Sequence, residues 1–332
     1  MIKFKINNKE YSASNEDTIW QVAKKNGINI PHLCHSDEVN YDPDGNCRAC
    51  VVQVNNERTL TAACIRMPTE GMEVFTEKNN VKESQKVIFE LLAADQPDVD
   101  CHPDPDSKFW TWSKKLGIDP QKFPKNKNIK QDISHPSMLV NLEACINCNL
   151  CVRGCRDVQS NDVIGMAYRG NKSKVIFDFD DEMGSSSCVG CGECVQACPT
   201  GALMEKSLLN DEGKKVLYPD KEVNSLCPYC GVGCQTKVYV KDNKIVQIDG
   251  RDGPANNNKL CVKGRFGYDY IHSEERLKKP LIRKKGVKKE AIEDYSKLKL
   301  EDFFREATWE EALAHASESL IKIVKATAPI IN

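Results

Sequence analysis

Two cysteine runs of identical spacing carry the chemistry of this chain. Cys145, Cys148, Cys151 and Cys155 form one, and Cys188, Cys191, Cys194 and Cys198, followed by Pro199, form the other. Each reads C-x2-C-x2-C-x3-C. Three thiolates on one tight loop can hold three corners of a 4Fe–4S cube, and the fourth cysteine of each run reaches across to the neighbouring cube. The spacing therefore assigns Cys145, Cys148, Cys151 and Cys198 to one cube, and Cys155, Cys188, Cys191 and Cys194 to the other. Structural zinc sites also use C-x2-C, but four-cysteine runs with gaps of 2, 2 and 3 follow the cluster pattern. Arg156, where a proline follows the matching cysteine of the second run, alters the local backbone and not the ligand set.

Two further constellations flank these runs. Cys34, Cys47, Cys50 and Cys64 have gaps of 12, 2 and 13, with Gly45 just ahead of the central pair. Two ligands on one loop and two from neighbouring loops suit a 2Fe–2S rhomb. Cys227, Cys230, Cys234 and Cys261 form C-x2-C-x3-C-x26-C, closed by Lys263 and Arg265, with Gly231 and Gly233 letting the backbone approach a cluster closely. Sixteen of the seventeen cysteines are thus placed, and the seventeenth, Cys101, reads as a bystander thiol. An odd count in C-x2-C groups argues against a disulfide framework and for metal in a reducing compartment.

The elements that must position these thiols follow from periodicity. Ile2, Phe4 and Ile6 alternate, Asn7 and Asn8 turn the chain and Tyr11 returns, which predicts a hairpin. A helix follows, capped near Asn15 or Asp17 and ending at Gly27, with Ile19, Val22 and Ala23 inward. Residues 50–54 and 59–64 read as strands turned at Asn55 and Asn56. Residues 79–95 read as a helix with Val87, Ile88, Leu91 and Leu92 towards a core. Phe109 and Trp112 share a helical face that packs domains together, and residues 125–130 read as a linker. A hairpin over 166–179 turns at Gly170 and Asn171; strands over 235–240 and 244–248 turn at Asp242 and Asn243. The lysine- and arginine-rich stretch 274–290 reads as a solvated strap. Thr308 and Glu311 form a capping box opening a helix with Trp309, Leu313, Ala316, Leu320, Ile323 and Val324 along one side. A bare stripe of that kind costs about 1.5–3 kcal/mol per large side chain, so the helix is expected to find a partner, and the chain is expected to be truncated.

A net charge of −1 provides no field favouring nucleic acid or an anionic membrane. There is no run of ~18 apolar residues, and the N-terminus reads as a strand and not an export signal. The expected location is cytoplasmic.

With the thiol sets in view, the N-terminal domain resembles that of the large iron–sulfur subunits of respiratory complex I, NAD-linked hydrogenases and NAD-linked formate dehydrogenases. The set ending in Cys261 resembles the N-terminal part of the catalytic subunit of molybdenum or tungsten bis-pterin formate dehydrogenases. The resemblance implies an α+β multidomain chain: a β-grasp 2Fe–2S domain over 1–78, a helical connector over 79–135, a two-cluster ferredoxin domain over 136–210, a small β-rich molybdopterin-oxidoreductase 4Fe–4S domain over 220–280, and the start of an α/β domain over 281–332. The first two modules are shared with the large iron–sulfur chains of the hydrogenases and complex I. The connector departs from the family pattern: a His-x3-Cys-x2-Cys-x5-Cys site for a further cube is replaced by Gln96, Cys101 and His102. What the resemblance implies for function is a conductor of electrons between a bis-molybdopterin guanine dinucleotide bearing Mo or W, where formate and CO2 interconvert, and a flavin-bearing, NADH-handling partner subunit. Lys263 matches the family's lysine between cluster and pterin and takes its relay role. No catalytic residue is expected in this chain, because the segment with the metal-ligating residue lies in the missing α/β domain. A stand-alone electron-transfer protein is the alternative, as is a large iron–sulfur chain of a hydrogenase or of complex I; the hydrogenase chain would need a different cysteine set after Cys198, the complex I chain a single four-cysteine run.

Overall fold

The computed structural model describes residues 1–125, 130–287 and 299–327, the side chain of Asn171 excepted. The chain divides into two compact units, 1–268 and 269–332; each is taken by itself.

The first unit opens with β1 (Ile2–Ile6) and β2 (Lys9–Ala13), an antiparallel pair whose turn places Asn7 and Asn8 at positive φ. Asparagine tolerates that region better than other non-glycine residues. Helix α1 (Ile19–Lys25) buries Ile19, Trp20, Val22 and Ala23. Its cap is Thr18, not Asn15 or Asp17: the hydroxyl accepts from Gln21 N–H and the Gln21 side chain accepts from Thr18 N–H, a reciprocal capping box. Strands β3 (Val51–Val54), β4 (Thr61–Ala62) and β5 (Glu73–Phe75) complete a five-stranded sheet of order β2-β1-β5-β3-β4, in which β1 and β5 run parallel. The strand expected over 59–64 shrinks to two residues.

Helix α2 (Asn79–Ala93) turns a different face inward from the expected one: Val81, Gln85, Phe89, Glu90 and Ala93 are buried, while Val87 and Leu91 are exposed. The inward stripe contains polar residues with partners. Gln85 Nε2 donates to the Val51 carbonyl at 3.0 Å, and Glu90 accepts from Lys122 at 2.6 Å. Helix α3 (Lys108–Leu116) buries Phe109 and Trp110; Trp112, expected inward, is only partly covered. The Phe109 ring stacks on Phe89 with centroids 5.7 Å apart. The expected linker over 125–130 lies mostly outside the described residues.

Strand β6 (Met138–Val140) later pairs with β9 (Leu203–Glu205), closing a module that contains both cysteine runs. Between them lie α4 (Leu150–Arg153), a π-helical turn over Gly154–Val158, the hairpin of β7 (Ile164–Ala167) and β8 (Lys174–Phe177), and α5 (Glu193–Ala197). A three-stranded antiparallel sheet follows: β10 (Lys221–Leu226), which has no counterpart among the expected strands, β11 (Gln235–Lys241) and β12 (Lys244–Gly250). Helix α6 (Val262–Phe266) ends the unit.

Polar side chains tie these modules together. Tyr41 Oη donates to Glu193 Oε1 at 2.8 Å, and Lys259 stands 3.2 Å from the same carboxylate oxygen and pairs also with Glu38. One buried carboxylate in the second cysteine run therefore holds residues from the modules on either side.

The second unit has the two-stranded pair β13 (Leu281–Arg283) and β14 (Phe304–Glu306), with α7 (Leu300–Phe303) and α8 (Trp309–Thr327). The basic stretch thus includes a strand, and residues 288–298 lie outside the described ones. Thr308 Oγ1 accepts from Glu311 N–H at 3.1 Å, but the Glu311 carboxylate goes to Arg305, so only half of the expected capping box forms. Trp309, Leu313, Leu320, Ile323 and Val324 are all exposed within this unit.

Candidate functional site

The two cysteine runs fold as local copies. In the first, Asn147 and Asn149 on either side of Cys148 have φ of 51° and 62°; in the second, Gly190 and Gly192 on either side of Cys191 have 67° and 72°. Left-handed residues flanking the middle cysteine wrap the loop into a cup, and backbone amides point at sulfur: Asn147 N–H donates to Cys145 Sγ and Gly190 N–H to Cys188 Sγ, both at 3.4 Å. Asparagine supplies the left-handed backbone where there is room. Glycine is needed at 192, where a Cβ would stand 2.2 Å from Cδ of Arg265.

The thiols group across the runs. Cys145, Cys148, Cys151 and Cys198 line one apolar cavity with Leu142 and Leu203. Burial pushes up the Cys148 thiol, and so does the negative charge of Cys198 and Cys145. Burial likewise raises Cys191, with Cys155 first among the thiol charges acting on it, and raises Cys194, which feels Cys191, Cys188, Cys155 and then Cys198. Cys155, at the start of the π turn, accepts from Val163 N–H at 3.4 Å. A set of bare thiolates is unfavourable in such surroundings, and a cationic iron core relieves that repulsion.

The first-domain thiols are closer still. The Cys34 thiol is lowered by S–H bonds from Cys47 and Cys64, and Cys50 by one from Cys64, while Cys47 and Cys64 rise as the partners that keep the proton. Four sulfurs that share protons in this way form a donor set in which metal takes the protons' place. Cys227, Cys230, Cys234 and Cys261 make the outermost group: Cys230 and Cys261 are exposed, and Cys234 is raised by burial and then by the charges of Cys227, Cys230 and Cys261. Among the described residues no three His, Cys, Asp or Glu side chains converge tightly enough for a single metal ion. Lys263 is exposed on α6, two residues past Cys261.

Three family models match this arrangement in chain order: a 2Fe-2S iron-sulfur cluster binding domain over residues 1–79, a 4Fe-4S dicluster domain over 144–202, and a molybdopterin oxidoreductase Fe4S4 domain over 220–273. The chain is a series of iron–sulfur domains. Over 94% of its length it is 30% identical to a Bacillus subtilis protein named "Putative formate dehydrogenase YrhE", covering 34% of that protein. Over 86% it is 31% identical to an NADH-quinone oxidoreductase subunit of Rhizobium meliloti, covering 33% of it. It therefore spans about a third of the length of these relatives. Its fold is similar to a chain in the crystal structure of an NAD+-reducing nickel–iron hydrogenase in the H2-reduced state, with TM-score 0.56 and 23% identity, covering 64% of this chain and 92% of that one. Among the described residues no helix is long and apolar enough to cross a membrane.

In this iron–sulfur chain the buried side chains of the connector, Gln96 and His102, are joined by hydrogen bonds. Asp104 N–H donates to His102 Nδ1 at 3.1 Å, which leaves Nε2 to donate to Gln96 Oε1 at 3.0 Å; Gln96 Nε2 donates to the carbonyl of Ala144, beside Cys145, at 3.0 Å. His102 is fully buried, and burial lowers its pKa to about 4, so it stays neutral. Cys101 points outward and is exposed. Cys101→Ser is expected to leave the iron content unchanged, and in the loaded protein Cys101 is the thiol a maleimide labels. A loss of about 4 iron atoms in that variant would make Cys101 a ligand.

Three buried ionisable residues have no periodicity in the sequence to mark them as interior. Arg153 and Arg265 are 2% and 0% exposed, and Glu205 is 1% exposed. Their burial follows no periodicity, although Arg265 stands in the motif that closes the third thiol set. Glu205 lies 3.9 Å from Arg265 Nη1, a nitrogen already engaged by Asp249 at 2.7 Å, and neither Glu205 oxygen has a hydrogen-bond partner. Burial therefore wins over the arginine and raises the Glu205 pKa from 4.5 to about 8, with Asp249 adding to the rise. A raised folded value means that the neutral acid is favoured in the fold. Its contribution is complete below the unfolded value and is lost as pH rises towards the folded one. Glu205→Gln is thus expected to gain about 2–4 kcal/mol on the parent between pH 5 and pH 8, read from unfolding free energies at both. A pH-independent difference would contradict this.

Proposed function

We propose that this chain carries electrons within a formate dehydrogenase, between a molybdenum or tungsten bis-pterin site and an NAD-reducing flavin partner. The observation that carries the reading is the ordered series of three iron–sulfur domains whose thiols fall into four groups. The residues proposed as ligands are Cys34, Cys47, Cys50 and Cys64 for a 2Fe–2S cluster, and for the three cubes Cys145, Cys148, Cys151 and Cys198; Cys155, Cys188, Cys191 and Cys194; and Cys227, Cys230, Cys234 and Cys261. Bound there, such clusters supply one-electron transfer, which formate and NAD, exchanging two electrons at a time, need between them.

The chain's own part is to space, insulate and tune. Apolar side chains such as Leu150 and Phe109 fill the core between the first and second groups and keep water out. Backbone amides on Cys145 and Cys188 stabilise added negative charge. Lys263 is proposed to face the pterin cofactor, which a further α/β domain is proposed to bind. The NADH-handling partner is proposed to dock beside the first domain, and the cytoplasm is the proposed location.

Anaerobic loading followed by iron and sulfide counting tests the reading. About 14 iron atoms are expected, from 2 and three times 4, with electron paramagnetic resonance signals of both cluster types on reduction. This chain by itself is expected to give no formate oxidation with an artificial acceptor, and turnover would place catalytic residues within it. Zinc in place of iron, or silence on reduction, would end the proposal.

A further inference from the structure

Each end of the ferredoxin module meets its neighbour across a buried arginine. At one junction Arg153 Nη2 donates to the carbonyl of Cys34 at 2.6 Å and to that of Cys148 at 3.5 Å, while Nη1 donates to the carbonyl of Asp42. Its counter-charge, Asp44, stands 3.2 Å from Nε and is about one-third exposed. At the other junction Arg265 Nε donates to the carbonyl of Cys191 at 2.9 Å, and its own backbone N–H donates to that of Cys261 at 3.1 Å. Its remaining donors go to Asp249 at 2.7 Å and Gln196 at 2.6 Å.

Burying a guanidinium carries a large desolvation penalty, and well-packed apolar residues brace a core at least as well. What an apolar brace lacks is charge. The Arg153 guanidinium contacts the backbone of one cysteine from each of two neighbouring thiol sets, while the Arg265 guanidinium contacts that of Cys191 from helix α6, whose own main chain bonds back to Cys261; each has one close carboxylate that is partly open to solvent.

Resting on the proposed electron-transfer reading, we propose that Arg153 and Arg265 are positioning residues of the electron path, each fixing two neighbouring cluster sites and placing a positive charge between them. Transfer moves one electron from one centre to the next, with no bond or proton exchanged. The centre that accepts it gains negative charge, and a fixed cation in a low-dielectric interior favours that state. The same cation serves donor and acceptor, so it raises both reduction potentials and leaves their difference little changed. Arg153 would act on the centres of the Cys34 and Cys145 sets, and Arg265 on those of the Cys188 and Cys227 sets.

The test is a reductive titration of the intact, anaerobically loaded protein, followed by paramagnetic resonance. In Arg153→Gln the midpoints of the first two centres are expected to fall together. In Asp44→Asn, which unmasks the same cation from a partly exposed position, they are expected to rise together. The other two centres stay put in both variants. Arg265→Gln and Asp249→Asn are expected to mirror this at the far junction. A purely structural brace would not give opposite signs confined to one pair of centres. If Arg153→Gln loses iron, Asp44→Asn decides alone. Unmoved midpoints in Asp44→Asn, or a shift of all four centres, would overturn the proposal. Failure of the underlying reading is separate and visible in the parent protein, as an absence of iron–sulfur signals.

Discussion

Cys155→Ser and Cys188→Ser are each expected to remove about 4 of about 14 iron atoms, and the double variant no more than either alone. The two residues are far apart in sequence and sit in different runs, so this is the result that separates crossed from uncrossed ligation. In the crossed arrangement both serve one cube, whose loss is complete when either goes. In the uncrossed one they serve different cubes, and the double variant loses about 8. The proposed crossing draws support from placement: Cys155 comes first among the thiol charges that raise Cys188 and Cys191, whereas Cys198 lines the cavity of Cys145, Cys148 and Cys151. Cys145→Ser with Cys198→Ser is the companion pair. Paramagnetic resonance of the single variants then shows which signal belongs to which cube.

Gly192→Ala is expected to cost about 3 kcal/mol or more, well beyond the cost of Gly190→Ala. Both glycines have positive φ, which alone costs an alanine roughly 1–2 kcal/mol. They differ in what a new methyl meets. At 190 the nearest atom is a Val262 methyl at 3.2 Å, at the end of a side chain that can yield. At 192 the methyl lies 2.2 Å from Arg265 Cδ and 3.0 Å from the Phe266 ring. Arg265 is fully buried and cannot move aside without releasing the Cys191 carbonyl and Asp249. Substitution by asparagine isolates the packing, because the first run itself uses Asn147 and Asn149 at the equivalent positions. Gly190→Asn should be tolerated and Gly192→Asn should not. Equal unfolding midpoints for the two asparagine variants would show that backbone strain, and not the arginine, sets the requirement.

Thiol spacing made most of the candidate site legible in the sequence, because a multi-iron cluster admits few loop lengths between its ligands. Local turn chemistry was equally readable: Asn7 with Asn8, and Asp242 with Asn243, take the positive φ that tight turns demand. What was not legible depends on partners distant in sequence. The inward face of α2 departs from its apolar pattern because Gln85 and Glu90 are buried only by virtue of the Val51 carbonyl and Lys122. Trp110, and not Trp112, is inward because the packing of α3 against α2 decides its rotation. Arg153 and Arg265 carry the residue type of a surface, and only contacts spanning about 111 and 74 residues of sequence reveal them as interior. Strand β10, exposed along its whole length, has no apolar pattern to read.

The relay of Asp104, His102 and Gln96 has a bearing on capacity. In the connector between the first two thiol groups this chain has an imidazole and an amide that stay neutral and cannot be reduced. On the proposed complement the molecule stores an even number of electrons, four at saturation, which matches two whole oxidations of a hydride donor with none left stranded.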